Sequence, residues 1–436
     1  MLYSDIVRNK LIGLIKEMQK YPDLFVRNPG KDFTRIRQLS FEKMIKLILS
    51  MGGNSLNSEL LEYFDYDVKT ATVSAFVQQR EKILPFAFEF LLHEFTNSFD
   101  DLRLFESYRL LACDSSALNI PCNPEDTDMH FNNLPNSKGF NQLRLNALYD
   151  LCNKLYLDAL IQPGRKFNEF RALTDMIDRS NIPQKVILLA DRGYESYNTF
   201  AHLEKKGWNY AIRVKDIDSN GILSGFKLPS TDEFDTVVSF VLTKKQTNEV
   251  KARPDIYRYL AKDTAFDYLD LHDNKFYPIS FRVVRIKLSN DSFETLITNL
   301  DSSAFPLEKM KALYNMRWGI ETSFRELKYT MGLACFHAKK LDYIFQEIFA
   351  KLIMYNFCEL VVMSVVVTHK DTKYSYQVNF TAATRICKRF FKNSEDIALM
   401  AIETLILKFI LPVRPGRKDP RKIKPKSVVS FNYRVA

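Results

Sequence analysis

The sequence predicts an α/β protein in which helices stand before and after a block of strands. Three observations support this fold class: helical periodicity in residues 1–105, apolar strand-like runs within 106–214, and helical periodicity again from Leu307 onwards. Residues 215–300 carry turn residues and short alternating strands without a long helical period. We interpret this stretch as a β-rich insertion.

Composition and charge narrow the class of protein. The 436 residues are 46% hydrophobic and 26% charged, as in an ordinary soluble protein of several domains. The net charge of +10 favours an anionic partner such as nucleic acid. The six cysteines and six histidines lack the spacings of a zinc site, and no disulfide framework is expected. No signal-peptide pattern is visible and the longest apolar run, Leu360–Val367, is too short for a bilayer, so we expect a cytoplasmic protein.

Residues 1–105 are expected to form a helical domain, and we interpret it as a DNA-binding domain. Phe41 to Met51 has a clear amphipathic pattern, with Ser40 as its N-cap and Gly52 at its end. Basic residues gather just ahead of this helix, namely Arg27, Lys31, Arg35 and Arg37. A helix-turn-helix and a plain helical scaffold both fit this pattern.

Two predicted strands end in an aspartate. The first, Tyr108 to Asp114, is mostly apolar, and the second, Lys185 to Ala190, is continuously apolar after its lysine and is followed by Asp191. Carboxylates at the ends of buried strands are costly to desolvate unless they are paired or bound to cations. Other elements of this part are strands at Gln142–Asp150, Lys154–Gln162 and Trp208–Val214 and helices at Phe167–Arg179 and Tyr194–Lys206.

A third acid, Glu321, lies in what the sequence predicts as one continuous helix from Tyr314 to Lys328. Along it, Tyr314, Arg317, Glu321 and Lys328 stand at offsets 0, 3, 7 and 14. These offsets fall within one sector of roughly 60°, while the apolar residues form a separate stripe. A carboxylate flanked by cations suits an anionic partner. The alternative is a salt bridge between Arg317 and Glu321 within the helix.

Brought together, Asp114, Asp191 and Glu321 would form an oxygen-rich site suited to Mg²⁺ or Mn²⁺. Two such ions about 4 Å apart stabilise the attacking and leaving oxygens of a phosphodiester displacement. Arg317 and Lys328 share a sector with Glu321 and could grip the phosphate. Each acid taken singly could be a plain surface carboxylate, but the joint pattern favours the metal site.

The chain resembles a bacterial insertion-sequence transposase of the DDE class. The branch it resembles, insertion-sequence family four, is marked by the motif Y-x2-R-x3-E-x6-K, and this motif is matched at every spacing by Tyr314, Arg317, Glu321 and Lys328. The segment Asp191–Tyr194, Asp-Arg-Gly-Tyr, matches the one that begins at the second aspartate of the family, and Asp114 matches the first. The resemblance covers most of residues 30–436 and is weakest in the N-terminal helices.

The resemblance implies an RNase H-like catalytic core, formed by 106–214 and by 301–411, which includes the C-terminal helices. It implies that Asp114, Asp191 and Glu321 are the catalytic residues and hold two Mg²⁺ (or Mn²⁺) ions. The implied reaction is hydrolysis at the terminal inverted repeats, followed by attack of a 3′-hydroxyl on target DNA. The implied partners are double-stranded DNA and a second copy of the chain on paired ends, at the nucleoid and without a membrane.

Members of this branch are also similar in often cutting through a hairpin, with a tryptophan stacked on a flipped base. Neither tryptophan of this chain, Trp208 or Trp318, lies in the insertion, where that residue would be expected. Phe276 or Tyr277 could take its place. The sequence therefore leaves the hairpin step open.

Further DNA contacts are predicted from basic residues outside the motif. Arg192 directly follows Asp191 and could contact phosphate or pair with a neighbouring acid. The tail, 412–436, is rich in lysine and arginine and includes Arg417 and Lys418. A basic, proline-punctuated tail adds sequence-independent DNA affinity, although a merely solubilising role is the alternative.

Two other functions fit the same residues. One is an RNase H-like nuclease that cuts DNA without joining it, and the other is a catalytically silent DNA-binding derivative. An assay for joined products separates the first from a transposase. The intact acids argue against the second.

Overall fold

In the computed structural model, a helical region precedes a large mixed sheet and further helices follow it. The structure describes residues 2–35, 37–132, 138–270, 275–289, 292–365, 375–392 and 402–413. The described part of the N-terminal region contains α1 (Tyr3–Lys20), α2 (Phe41–Ser50), α3 (Leu56–Tyr63), α4 (Val73–Arg80) and α5 (Phe86–Asn97). The predicted N-cap of α2 is confirmed, because Ser40 Oγ accepts a hydrogen bond from the Lys43 N–H at 3.3 Å.

The central strands confirm the sequence pattern. The elements are β1 (Arg109–Ile120), β2 (His130–Phe131), β3 (Phe140–Asp150), β4 (Leu155–Pro163), α6 (Glu169–Arg179), β5 (Val186–Ala190), α7 (Tyr197–Lys206) and β6 (Asn209–Val214). Strand β1 pairs antiparallel with β3 and parallel with β5, and β5 pairs parallel with β6. All five residues of β5 are buried, as expected for a strand covered on both faces.

The stretch predicted as an insertion contributes to the same sheet. It contains β7 (Phe234–Thr243), α8 (Asn248–Ala252), β8 (Tyr257–Tyr259), β9 (Phe276–Ser289) and β10 (Ser292–Thr298). Strand β10 pairs antiparallel with β6, and the strand order is β2-β3-β1-β5-β6-β10-β9-β7-β8, with β4 beside β3. The β-rich character of this stretch is confirmed, and its strands continue the central sheet instead of forming a sheet of their own.

The helical region after the sheet is divided more finely than the sequence predicted. It contains α9 (Leu307–Asn315), α10 (Trp318–Tyr329), α11 (Leu341–Met363), β11 (Tyr376–Gln377), α12 (Phe380–Lys392), α13 (Ile402–Leu407) and β12 (Leu411–Pro412). The stretch predicted to be helical from Leu307 to about Val367 is helical as far as Met363, and it is divided among α9, α10 and α11. Helix α11 packs against α1, α2, α5, α12 and β4, so it joins the N-terminal helices to the sheet.

Some sequence predictions lie outside the described residues. The basic tail, 412–436, is described only as far as residue 413. Its predicted DNA-contacting residues, Arg417 and Lys418, therefore lie outside the described residues. Within the described ranges, no helix combines the length and the apolar character that crossing a membrane requires.

Candidate active site

Two of the predicted acids lie side by side in the sheet where β5 ends, although the strand predicted to end at Asp114 continues as β1 to Ile120. Cys113 of β1 is paired in register with Ala190 of β5, and the strands run parallel. The next residue in each chain segment is Asp114 or Asp191, so both carboxylates project from neighbouring positions. Parallel strands thus bring together two acids that are 77 residues apart, since 191 − 114 = 77.

Asp191 is held by its local turn and by an arginine. Its Oδ1 accepts hydrogen bonds from the Arg192 N–H at 2.5 Å and from Arg213 Nε at 2.6 Å. Burial opposes ionisation of this carboxyl, but the backbone N–H of Arg192 and the charge of Arg213 outweigh it and hold the pKa of Asp191 below its usual value. Asp191 is therefore a carboxylate at neutral pH.

Glu321 lies in the first turn of α10, which packs against β1. Arg317 Nη2 donates to Glu321 Oε1 at 2.7 Å, so the salt bridge considered as an alternative is present. The predicted single helix is interrupted here, because Met316 and Arg317 form a turn between α9 and α10. The N–H groups of Met316 and Arg317 bond three residues back, to the carbonyls of Leu313 and Tyr314, as in a tighter 3₁₀ turn.

Tyr314 braces this junction against the sheet. Its side chain is buried, at 3% exposure, and its hydroxyl donates to the carbonyl of Ala190 at 3.1 Å. Ala190 is the last residue of β5 and precedes Asp191. This position does not support the predicted DNA contact of Tyr314, and we assign it a bracing role beside Asp191.

The electrostatics link all three acids. Burial raises the pKa of Asp114 to about 6, and the charges of Glu321 and Asp191 act in the same direction, while the Ser115 N–H and Arg317 oppose them. Arg317 is 2% exposed. Its Nε and Nη1 have no hydrogen-bond partner among the described residues. A buried cation with unused donors therefore stands among three carboxylates.

The donor chemistry fits a hard divalent cation, but arginines occupy part of the site. Carboxylate oxygens are the ligands that Mg²⁺ and Mn²⁺ prefer, and the raised pKa of Asp114 is a cost that a cation would remove. Within the described ranges, no three His, Cys, Asp or Glu side chains converge closely enough to hold a metal ion. In this conformation Arg213 and Arg317 neutralise Asp191 and Glu321.

Two residues of this site were missed by the sequence analysis. Arg213, on β6, pairs with Asp191, and Glu169, at the start of α6, accepts a hydrogen bond from Ser115 Oγ. A Cβ atom on Gly193 would lie 3.1 Å from Glu169 Oε2, so Glu169 also borders the turn after Asp191. No motif spacing marks either residue, because the Arg213 contact depends on how the strands pair and the Glu169 contact on how α6 packs against the sheet.

Of the other predicted DNA-contacting residues, Arg192 and Lys328 lie within the described ranges. Arg192 has an exposed side chain that forms no ion pair with the described residues, whereas Lys328 is half-buried and has a partner. Trp318 is 60% exposed, and the Arg317 guanidinium lies 5.4 Å from its ring. The exposed Arg192 thus directly follows Asp191, and the exposed ring of Trp318 lies beside Arg317.

The chain is similar to a known family of enzymes that act on DNA. Residues 106–357 match the family described as Transposase DDE domain. This match covers more than half of the chain, and the chain belongs to that family. No curated protein sequence is significantly similar.

Among solved structures, a piggyBac transposase in a synaptic complex with hairpin DNA is similar at 12% identity. The similarity covers 97% of this chain and 88% of that one, with a TM-score of 0.47. At these values no detail of that complex is transferred to this chain.

Proposed function

We propose that this chain is the transposase of a bacterial insertion sequence of family four, which cuts at the terminal inverted repeats and joins the ends to target DNA. The observation that carries the proposal is the pairing of Cys113 with Ala190, which brings Asp114 and Asp191 side by side. Helix α10, with Glu321, packs against the same strand, β1. Tyr314, Arg317, Glu321 and Lys328 keep the motif spacing of that branch.

The topology of the central strands supports an RNase H-like core. The order β4-β3-β1-β5-β6 has three antiparallel strands followed by two parallel ones. Asp114 lies on the first strand of this core, and Asp191 follows a strand parallel to it. The extra strands β7 to β10 are added at the β6 edge, away from β1.

Asp114, Asp191 and Glu321 would hold the Mg²⁺ or Mn²⁺ ions, two in the proposed site. Bound there, the ions would activate the attacking oxygen and stabilise the leaving oxygen of the phosphodiester. Glu169 borders both Ser115 of β1 and the turn after Asp191, and it would keep Asp114 and Ser115 in place through its hydrogen bond from Ser115.

The arginines of the site would change partners when DNA binds. One nitrogen of Arg317 donates a hydrogen bond to Glu321, and the other two have no acceptor among the described residues. A phosphate oxygen is a stronger acceptor for a guanidinium than most neutral groups, and it can take two parallel hydrogen bonds. Because Nε and Nη1 are buried, Arg317 would reach a phosphate only by turning away from Glu321, and phosphate binding would then release Glu321 for its role in the reaction.

The proposed DNA contacts beyond Arg317 are Arg192 and Lys328, together with Arg417 and Lys418 of the tail. Arg192 is exposed and lies one residue after Asp191, where a DNA strand bound near the acids would pass. Joining two transposon ends in one reaction calls for two active sites, so we propose a homodimer on paired ends.

A cleavage and joining assay on DNA that carries the inverted repeats of the element tests the proposal. Asp114→Ala, Asp191→Ala and Glu321→Ala should each abolish Mg²⁺-dependent cleavage while DNA binding survives. Glu17→Ala is a matched control, since Glu17 is an exposed acid paired only with Lys20. Full strand transfer by any of the three variants would refute the assignment.

The same assay separates the alternatives. Cleaved ends without joined products from the unmodified chain would favour the nuclease, and binding without cleavage would favour the silent derivative. Arg317→Ala should weaken DNA binding and flatten its salt dependence by about one phosphate contact. Unchanged affinity at every salt concentration would refute the phosphate-binding role of Arg317.

A further inference from the structure

A basic cleft lies in the N-terminal helical region, apart from the acids of the candidate active site. It has a volume of about 360 Å³ and is lined by four cations, Lys31, Arg35, Arg37 and Lys82, with Gln79 among them. No acidic side chain lines it. The first three cations precede α2, whereas Lys82 follows α4, so the fold assembles the cleft from two distant segments.

The charged groups of Lys31, Arg35 and Arg37 make no contact with other described side chains, whereas Lys82 Nζ lies 5.6 Å from the centre of the Phe33 ring. None of the four forms an ion pair with a described residue, and Lys82 Nζ donates only to Gln79 Oε1, at 3.1 Å. Arg27, which the sequence places in the same basic group, differs because it pairs with Asp342 at the start of α11. The structure thus separates a structural arginine from three cations that face solvent together.

The loop that carries these cations is held in place by buried groups. The carboxylate of Asp32, 7% exposed, accepts hydrogen bonds from the N–H and the amide of Asn28 at 3.0 and 3.1 Å. The Phe33 ring packs edge-on against Phe41 of α2 at 5.7 Å. The Gly30 N–H donates to Asp23 at 2.8 Å. The braced loop thus holds three exposed positive charges close together, and such a cluster attracts anions.

We propose that this cleft, which we call the Lys31 cleft, binds phosphate groups of the DNA backbone at a place separate from the reacting phosphodiester. Lysine and arginine side chains are the usual partners of DNA phosphates, and such contacts fix the position of the duplex without reading its sequence. The inference rests on the proposed function, since it takes DNA as the partner. The cleft would anchor a transposon end while the acids act elsewhere on it.

The test measures DNA binding by the full chain as a function of salt, without divalent metal, using a labelled duplex. The test variant combines Lys31→Ala, Arg35→Ala and Arg37→Ala. The control combines Lys16→Ala, Lys20→Ala and Lys69→Ala, which removes the same charge from exposed positions of the N-terminal region outside the cleft. Far-ultraviolet circular dichroism and a thermal melt establish that both variants are folded.

Each phosphate contact contributes about 0.9 to the slope of log affinity against log salt. We expect the test variant to lose about two to three units of slope and at least about tenfold in affinity, and the control to lose less than about one unit. Lys82→Ala alone should lose about one unit. If the test variant and the control lose the same salt slope and the same affinity, the Lys31 cleft does not bind DNA.

Two further outcomes are distinguishable. If inorganic phosphate at constant ionic strength raises the melting temperature of the unmodified chain but not of the test variant, while both bind DNA alike, the cleft is a site for a free anion and the proposal is wrong. If the unmodified chain binds no DNA at all, the proposed function fails and this inference fails with it. A loss confined to the test variant supports the DNA contact.

Discussion

Two arginines of this chain are almost equally buried but differ in how their guanidinium groups are bonded. Arg80 is 1% exposed, and its three nitrogens donate to Gln346, to Glu347 and to the Tyr343 carbonyl. Arg317 is 2% exposed, and two of its nitrogens have no partner within the described ranges. A buried donor without an acceptor costs about 1–3 kcal/mol. We infer that a bound ligand supplies the missing acceptors and removes this cost.

The acids beside these arginines differ in the same way. Burial would raise the pKa of Glu347, but Arg80 and His337 outweigh it and hold that pKa at about 2. Burial raises the pKa of Asp114 to about 6 because its compensation is weaker. The comparison teaches that the Arg80 network stabilises the contact of the N-terminal helices with α11, whereas the Arg317 site keeps buried polar groups unsatisfied, as expected of the active site proposed above.

The largest expected effect on stability comes from the Arg80 network. Glu347→Gln should lower the free energy of unfolding by about 3–5 kcal/mol, because it leaves the charge of Arg80 buried and unpaired. Urea denaturation measures this change. The matched control is Glu17→Gln, in an ion pair with Lys20 whose side chains are 61% exposed, and its denaturation midpoint should not move. Equal midpoints for both variants would contradict the structural role of Arg80.

A second prediction uses two groups on α11 with shifted pKa values. Burial raises the pKa of Glu359 to about 7, and burial together with Lys388 lowers that of Lys351 to about 7. The raised carboxyl contributes stability that is present at low pH and is lost as pH rises through about 7, whereas the lowered amine contributes stability that is gained over the same range. The two contributions therefore oppose each other in the unmodified chain.

Variants that remove one of the two groups should show the contribution of the other group to the pH dependence of stability. Between about pH 6 and 8, Glu359→Gln should gain about 1.4 kcal/mol of unfolding free energy relative to the unmodified chain, and Lys351→Met should lose a similar amount. Chemical denaturation at several pH values measures both slopes. Curves that stay parallel to that of the unmodified chain would refute the assigned pKa shifts.

The smallest expected effect concerns the brace beside Asp191. Tyr314→Phe removes the donor to the Ala190 carbonyl and should cost about 1 kcal/mol of stability. Cleavage should slow while DNA affinity and its salt dependence stay unchanged, because the hydroxyl is buried against β5. A weaker affinity with a flatter salt dependence would instead restore the DNA contact predicted from the sequence.

Much of the candidate site could be predicted because local sequence and strand pairing agree. Asp191 follows an apolar run that only a covered strand explains, and Glu321 shares a helical sector with Arg317. The turn at Met316 was not predictable from periodicity. It depends on the docking of Tyr314 against the end of β5, a contact between residues 124 positions apart.

The features that the sequence did not predict depend on contacts between residues distant in sequence. Arg213 reaches Asp191 only because β5 and β6 pair, and Arg80 meets Glu347 across 267 positions. The strands in 215–300 alternate apolar and polar residues, as the strands of a separate β-sheet would. This pattern does not reveal that β10 pairs with β6 of the central sheet. Composition likewise groups Arg27 with Lys31, and only the structure separates them.

The central claim is that the acids of the candidate active site are kept for chemistry at a cost in stability. The most direct test is the free energy of unfolding of Asp114→Asn at about pH 8 without divalent metal, measured beside its DNA cleavage. The asparagine removes a charge that burial disfavours, so stability should rise by about 1–2 kcal/mol while cleavage is lost. A loss of stability like that of Glu347→Gln, with cleavage intact, would contradict the claim.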